Sequence, residues 1–97
     1  MLEIYRNVLI ETIDCLVEAR EKVFTCALNL AMRNDLKEIN DVFDDGESYI
    51  FKLNYLDNGT DTNVQMIVDL IKNIESTIFT LLNINAINEN ELKNEIE

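Results

Sequence analysis

The first third of the chain places polar side chains at Glu3, Asn7, Glu11, Asp14, Glu18, Glu21, Thr25 and Asn29. Steps of three and four residues mark one face of a helix, so residues 2 to about 33 predict a single long helix with this stripe in solvent. The rest of its girth is apolar. Leu2, Tyr5, Leu9, Ile13, Leu16, Val23, Ala27 and Leu30 run along one side, with Ile4, Val8, Cys15, Ala19 and Cys26 beside them. Such a helix predicts more than one packed neighbour: it is central to the domain, or it also forms a subunit interface, as in a homodimer.

At "NDLKE" a second helix start is expected, with Asp35 as cap and Glu38 reaching back to it, after a bend near Asn34. Read as a helix, residues 35–57 fill three heptad lanes: Leu36, Phe43, Ile50; Ile39, Gly46, Leu53; Val42, Tyr49, Leu56. Gly46 is the one exception among these nine positions, and costs a helix about 1 kcal/mol relative to alanine. Residues 48–56 also alternate as a strand would, with Tyr49, Phe51, Leu53 and Tyr55 on one face. A strand needs a partner, and no other segment shows period-two alternation, so the helix is the expectation. Asn58-Gly59 is expected to end it with a left-handed stop.

A third helix is marked by Thr62 with Gln65 as a capping pair and by the stripe Val64, Ile67, Leu70, Ile71, Ile74, Ile78, Leu81 and Leu82. Asp69, Lys72, Asn73, Ser76 and Thr80 form its polar face, and "NINAIN" closes it. Asn88 and Glu91 then open a short acidic helix with Ile87, Leu92 and Ile96 as its apolar side. The predicted fold is all-α: an antiparallel bundle of three long helices plus a short C-terminal helix. Residues 1–83 form the bundle domain and 84–97 the short acidic helix or tail.

Composition agrees with one helical domain. The 97 residues include no proline and two glycines, whereas strand-rich folds need frequent turn residues. A chain this long can bury roughly 60–70% of its unfolded surface, enough for a core without metal or disulfide support. The formal net charge is −11, which repels phosphate backbones and anionic lipid. Direct nucleic-acid binding and membrane association are therefore not expected. On one helix Cys15 and Cys26 would lie about 16 Å apart along the axis, too far for a disulfide, and read as small core thiols of a reducing cytosol. No apolar run is long enough to span a bilayer, and the N-terminus lacks a signal-peptide pattern, so the chain reads as cytoplasmic.

Catalysis has no visible means. There is no histidine, no glycine-rich phosphate loop and no Ser/His/Asp set, so no catalytic residue, cofactor site or metal site is expected. Asp41, Asp44, Asp45 and Glu47 are acid-rich, but their spacing departs from the twelve-residue calcium loop and suits a solvated face. What remains is apolar surface. Large residues at the margins of the stripes (Tyr5, Phe24, Phe51, Tyr55 and Phe79) mostly suit a core, yet they also suit a groove for a partner's amphipathic helix. The candidate partner-binding residues are Phe51, Tyr55, Ile74 and Ile78, with Leu92 and Ile96 of the tail able to fill that groove in cis.

The order of features over roughly residues 2–83 resembles the small flagellar export chaperones of the FlgN and FliT type. The resemblance rests on "LEIYRNVLIETIDCL", on the step "RNDLKEINDVF" with Leu36, Ile39, Val42 and Phe43, and on the amphipathic third helix and acidic tail. Gly46 stands where that family usually carries an arginine. The resemblance implies a cytosolic helical protein without ATPase activity that holds aggregation-prone helices of exported subunits, using apolar residues of helices two and three. The rival from another class is a small acidic inhibitor of phage or plasmid type, blocking a nucleic-acid enzyme with carboxylates in place of phosphates. The net charge and Glu38, Asp41, Asp44, Asp45 and Glu47 motivate it.

Overall fold

The computed structural model describes residues 2–33, 35–37, 49–57, 59–94 and 96, with the backbone alone for 49–52. Its described residues form three α-helices and one 3-10 turn, with no strand among them. They are α1 (Glu3–Met32), α2 (Tyr49–Asp57), α3 (Thr62–Ile84) and the turn Glu89–Glu91. The all-α expectation holds, but only α1 and α3 are long. Among described residues, no helix is long and apolar enough to cross a membrane.

α1 ends where Arg33 turns left-handed (φ 56°), its N–H donating to the carbonyls of Asn29 and Leu30. Asp35–Lys37 does not continue as the first turn of a second long helix. The Lys37 carbonyl is taken instead by the buried Asn29, whose Nδ2 donates to it at 2.8 Å. The Asp35–Glu38 capping pair and Gly46 fall partly or wholly outside the described residues.

Tyr49–Asp57 is helical, so the alternation there does not make a strand. Its end is tied to α3: Gln65 Nε2 donates to Leu56 O of the helix at 2.7 Å and to Gly59 O of the following loop at 3.1 Å. Gln65 is therefore no capping partner of Thr62. The cap of α3 is Asp61, whose Oδ1 accepts from the N–H groups of Asn63 and Val64. Gly59 does not adopt the expected left-handed backbone; a Cβ there would lie 3.3 Å from Leu56 O, so close approach is what the glycine allows.

α1 and α3 pack antiparallel through two apolar clusters. The first joins Phe24, Ala27 and Leu28 of α1 to Leu56 of α2 and Val64, Val68 and Ile71 of α3. The second joins Ile13 and Val17 to Ile78, Leu82 and Ile87. Most of the predicted α3 stripe faces this core, although Leu70 is 48% exposed. On α1 the prediction needs correcting. Asp14 and Asn29, assigned to the solvent stripe, are buried, whereas Cys15 and Cys26, assigned to the core, are exposed. The face that α3 covers takes Ile13 and Ala27 from the predicted apolar sides and adds Val17, Phe24 and Leu28, which neither side included.

The end of α3 is a Schellman motif. Ile87 N–H donates to Leu82 O and Ala86 N–H to Asn83 O, with Ala86 left-handed at φ 51° where glycine is usual. Ile87 thereby folds back into the same cluster as Leu82.

Candidate functional site

Among the described residues, the most elaborate polar arrangement holds the C-terminal segment against α1. The expected capping box is present: Asn88 accepts from Asn90 N–H, and Glu91 accepts from Asn88 N–H at 2.8 Å. Yet a single 3-10 turn follows, and the predicted short helix does not propagate. Lys93 and Asn94, whose N–H groups would continue it, donate to the Asp14 carboxylate at 2.9–3.1 Å. Asn94 Nδ2 also donates to the Asp14 carbonyl at 3.0 Å. A carboxylate on α1 outcompetes the local helix for these donors because charge-assisted bonds are the stronger kind.

Two turns earlier on α1, Arg6 makes the second fastening. Its Nη2 meets both carboxylate oxygens of Glu91 at 3.0 and 2.9 Å, and its Nη1 donates to Asn85 O at 3.2 Å. The Asn88 N–H, then the Arg6 guanidinium, hold the Glu91 carboxyl below its ordinary range. Leu92, between the fastenings, and Ile96, just beyond them, are half-buried against the second cluster.

A second polar feature divides the two clusters. Arg20 is 2% exposed on α1 between Val17 and Phe24, with its Nη1 3.8 Å from Glu75 of α3. Removing a guanidinium from water is costly unless charge and donors are met, so this pair fixes which turn of α3 lies against which turn of α1.

The six predicted partner-binding residues do not form one patch. Ile74, Ile78, Leu92 and Ile96 come together in the second cluster, with Ile78 fully buried. Tyr55 lies at the opposite end of the helix pair, 46% exposed, lining a cavity of about 410 Å³ with Arg33, Asp61 and Val64. The side chain of Phe51 lies outside the described residues, as do Glu38, Asp41, Asp44, Asp45 and Glu47. The tail packs on α1 and α3, so the expected seat involving helix two is not the one observed.

Sequence reasoning missed Arg6, Asp14, Arg20 and Glu75. For Arg20 a signal existed: it sits in the lane Ile13, Val17, Phe24, Ala27, at the spacing of a core position. For Asp14 there was none, because its partners lie 79 and 80 residues away. Comparison of the chain with family models, curated proteins and solved structures returns no match.

Proposed function

We propose that this protein is a non-enzymatic binding module that holds an amphipathic helix of a partner protein on the apolar face shared by α1 and α3. The observation that carries the reading is the tail itself. It lies in cis as a ligand would, with two apolar anchors seated on the second cluster and fastenings at Asp14 and Arg6. Helix-in-groove recognition uses the same elements, namely a few aliphatic anchors and flanking polar contacts that fix orientation. The partner helix takes the place of Leu92 and Ile96, and the resemblance to export chaperones gives its class: an aggregation-prone helix of a subunit awaiting secretion.

Capture from the native host, comparing the intact protein with a variant whose tail is loosened (Asp14→Ala with Arg6→Ala), tests this. The loosened variant should capture more of one protein, and cross-links should join that protein's amphipathic helix to positions beside Ile74 and Ile78. Capture that is unchanged, or cross-links confined to acidic residues, would sink the reading. Salt separates it from the acidic-inhibitor alternative, which the net charge of −11 favours. A phosphate mimic loses its partner steeply as salt rises, and an apolar groove does not.

A further inference from the structure

The side of α1 turned away from α3 carries an apolar stripe that no described residue covers. Ile4 is 79%, Val8 55% and Leu30 43% exposed; Cys15 and Cys26 are exposed as well, and Ala19 is half-buried. These residues come as pairs four apart (Ile4 and Val8, Cys15 and Ala19, Cys26 and Leu30), and the pairs recur every 11 residues. Eleven residues make almost three whole helical turns, so the stripe runs nearly straight along the helix.

We propose that this stripe is the interface of a homodimer in which two copies of α1 cross antiparallel about position 17. Three observations select a second copy as the occupant. First, the stripe is self-complementary, as a two-fold interface requires. Turned end for end about position 17, Ile4 meets the partner's Leu30, Val8 meets the partner's Cys26, and Cys15 meets the partner's Ala19. Second, side-chain size follows the geometry of two crossing rods. The small Cys15 and Ala19 occupy the point of closest approach, while the larger Ile4, Val8 and Leu30 lie toward either end, with Cys26 as the one small outer residue, opposite the partner's Val8. Third, the flanking charges complement one another: Lys22 of each copy comes beside the partner's Glu11. Among the described residues Lys22 is exposed and pairs with Glu18 on its own helix at 3.0 Å.

The stripe extends over about 39 Å of helix and about 10 Å of width, or roughly 400 Å² per protomer. That is the range of weak, reversible interfaces, so association is expected at roughly 10–100 µM protein.

Cross-linking reads the register directly. One chain carries Cys26→Ala and keeps Cys15 as its only thiol; a second carries Cys15→Ala, Cys26→Ala and Ala19→Cys. In the antiparallel dimer, residues 15 and 19 of different copies face each other. Like residues are offset by about four positions, or 6 Å along the axis in addition to the helix separation, beyond disulfide reach. Under mild oxidation the mixture should therefore form disulfide-linked dimer at least about tenfold faster than either chain alone. Faster linkage of each chain with itself means a parallel pair and overturns the proposal. Sedimentation of the wild-type protein provides the second measurement. Concentration-dependent dimerisation that Val8→Asp weakens at least about tenfold supports it, and Val8 is exposed enough for that variant to fold. A chain that remains monomeric to about 1 mM refutes it.

Discussion

Replacing Asp14 by alanine tests whether one carboxylate holds the C-terminal segment. Asp14 is 8% exposed and accepts three hydrogen bonds from the Lys93 and Asn94 N–H groups. Bonds to a charged acceptor contribute about 1.5–3 kcal/mol when fully buried. Here water can replace part of the loss, because Lys93 is exposed and Asn94 half-buried. A figure of about 1 kcal/mol for each N–H group gives about 2 kcal/mol for docking of the tail, or about thirtyfold in its opening equilibrium. Amide hydrogen exchange followed by NMR reads this residue by residue. The Lys93 and Asn94 amides should exchange about thirtyfold faster in Asp14→Ala, while those around Val17 and Ile78 stay protected. Asp14→Asn keeps an oxygen acceptor but not the charge, and should fall between the two. Unchanged exchange at Lys93 and Asn94 would show that Leu92, Ile96 and the Arg6 contacts seat the tail without Asp14. Equal loss throughout α1 and α3 would show that the tail and helices form one cooperative unit, which would also undermine the proposed displacement by a partner.

The pair between the clusters should respond asymmetrically: Glu75→Gln should lower stability by about 2 kcal/mol, whereas Arg20→Met should be nearly neutral, as thermal or urea melts of both variants would show. A left-handed alanine is strained, so Ala86→Gly should raise stability by about 0.5–1 kcal/mol, the relief exceeding the extra freedom glycine gives the unfolded chain; a lower melting temperature would contradict the assignment of its φ. The Glu91 carboxyl is held below its ordinary range by the Asn88 N–H and by Arg6, so its contribution is present above its unfolded value and is lost as pH falls through the lower folded value. Melts of wild type and Glu91→Gln should therefore converge in acid, and a gap that persists below the carboxylate range would rule this group out as its source.

What the sequence made legible was whatever one helix decides by itself. The face of α3 was readable because most of its apolar residues gather on one side, opposite Asp69, Lys72, Asn73, Ser76 and Thr80, although Met66 and Leu70 stay exposed. Its cap was displaced by one residue, from Thr62 to Asp61, since both side chains can accept at a helix start. On α1 the same reasoning met two apolar sides and could not rank them, so Cys15 and Cys26 were placed in the core and Asp14 and Asn29 in water. The decisive partners, Lys93 and Asn94 for Asp14 and Lys37 for Asn29, are tertiary or lie beyond the helix. The tail failed for a related reason. Its capping box was visible, but the competition of Asp14 for the next N–H groups was not.

The Arg20–Glu75 pair also limits how the two long helices can move. Packed helices commonly slide over one another, and a full ratchet step is one turn, about 5.4 Å. Such a step would carry the guanidinium off its carboxylate and set it against Ile71 or Ile78, both fully buried in apolar surroundings. An unpaired charge there costs several kcal/mol, comparable with the whole stability of a domain this small. Collapsed states with α1 and α3 one turn out of step are disfavoured on the same ground during folding. The two helices are therefore pinned against axial shear at their middle, and the displacements left to them are those that pivot about Arg20 and part the helices at either end.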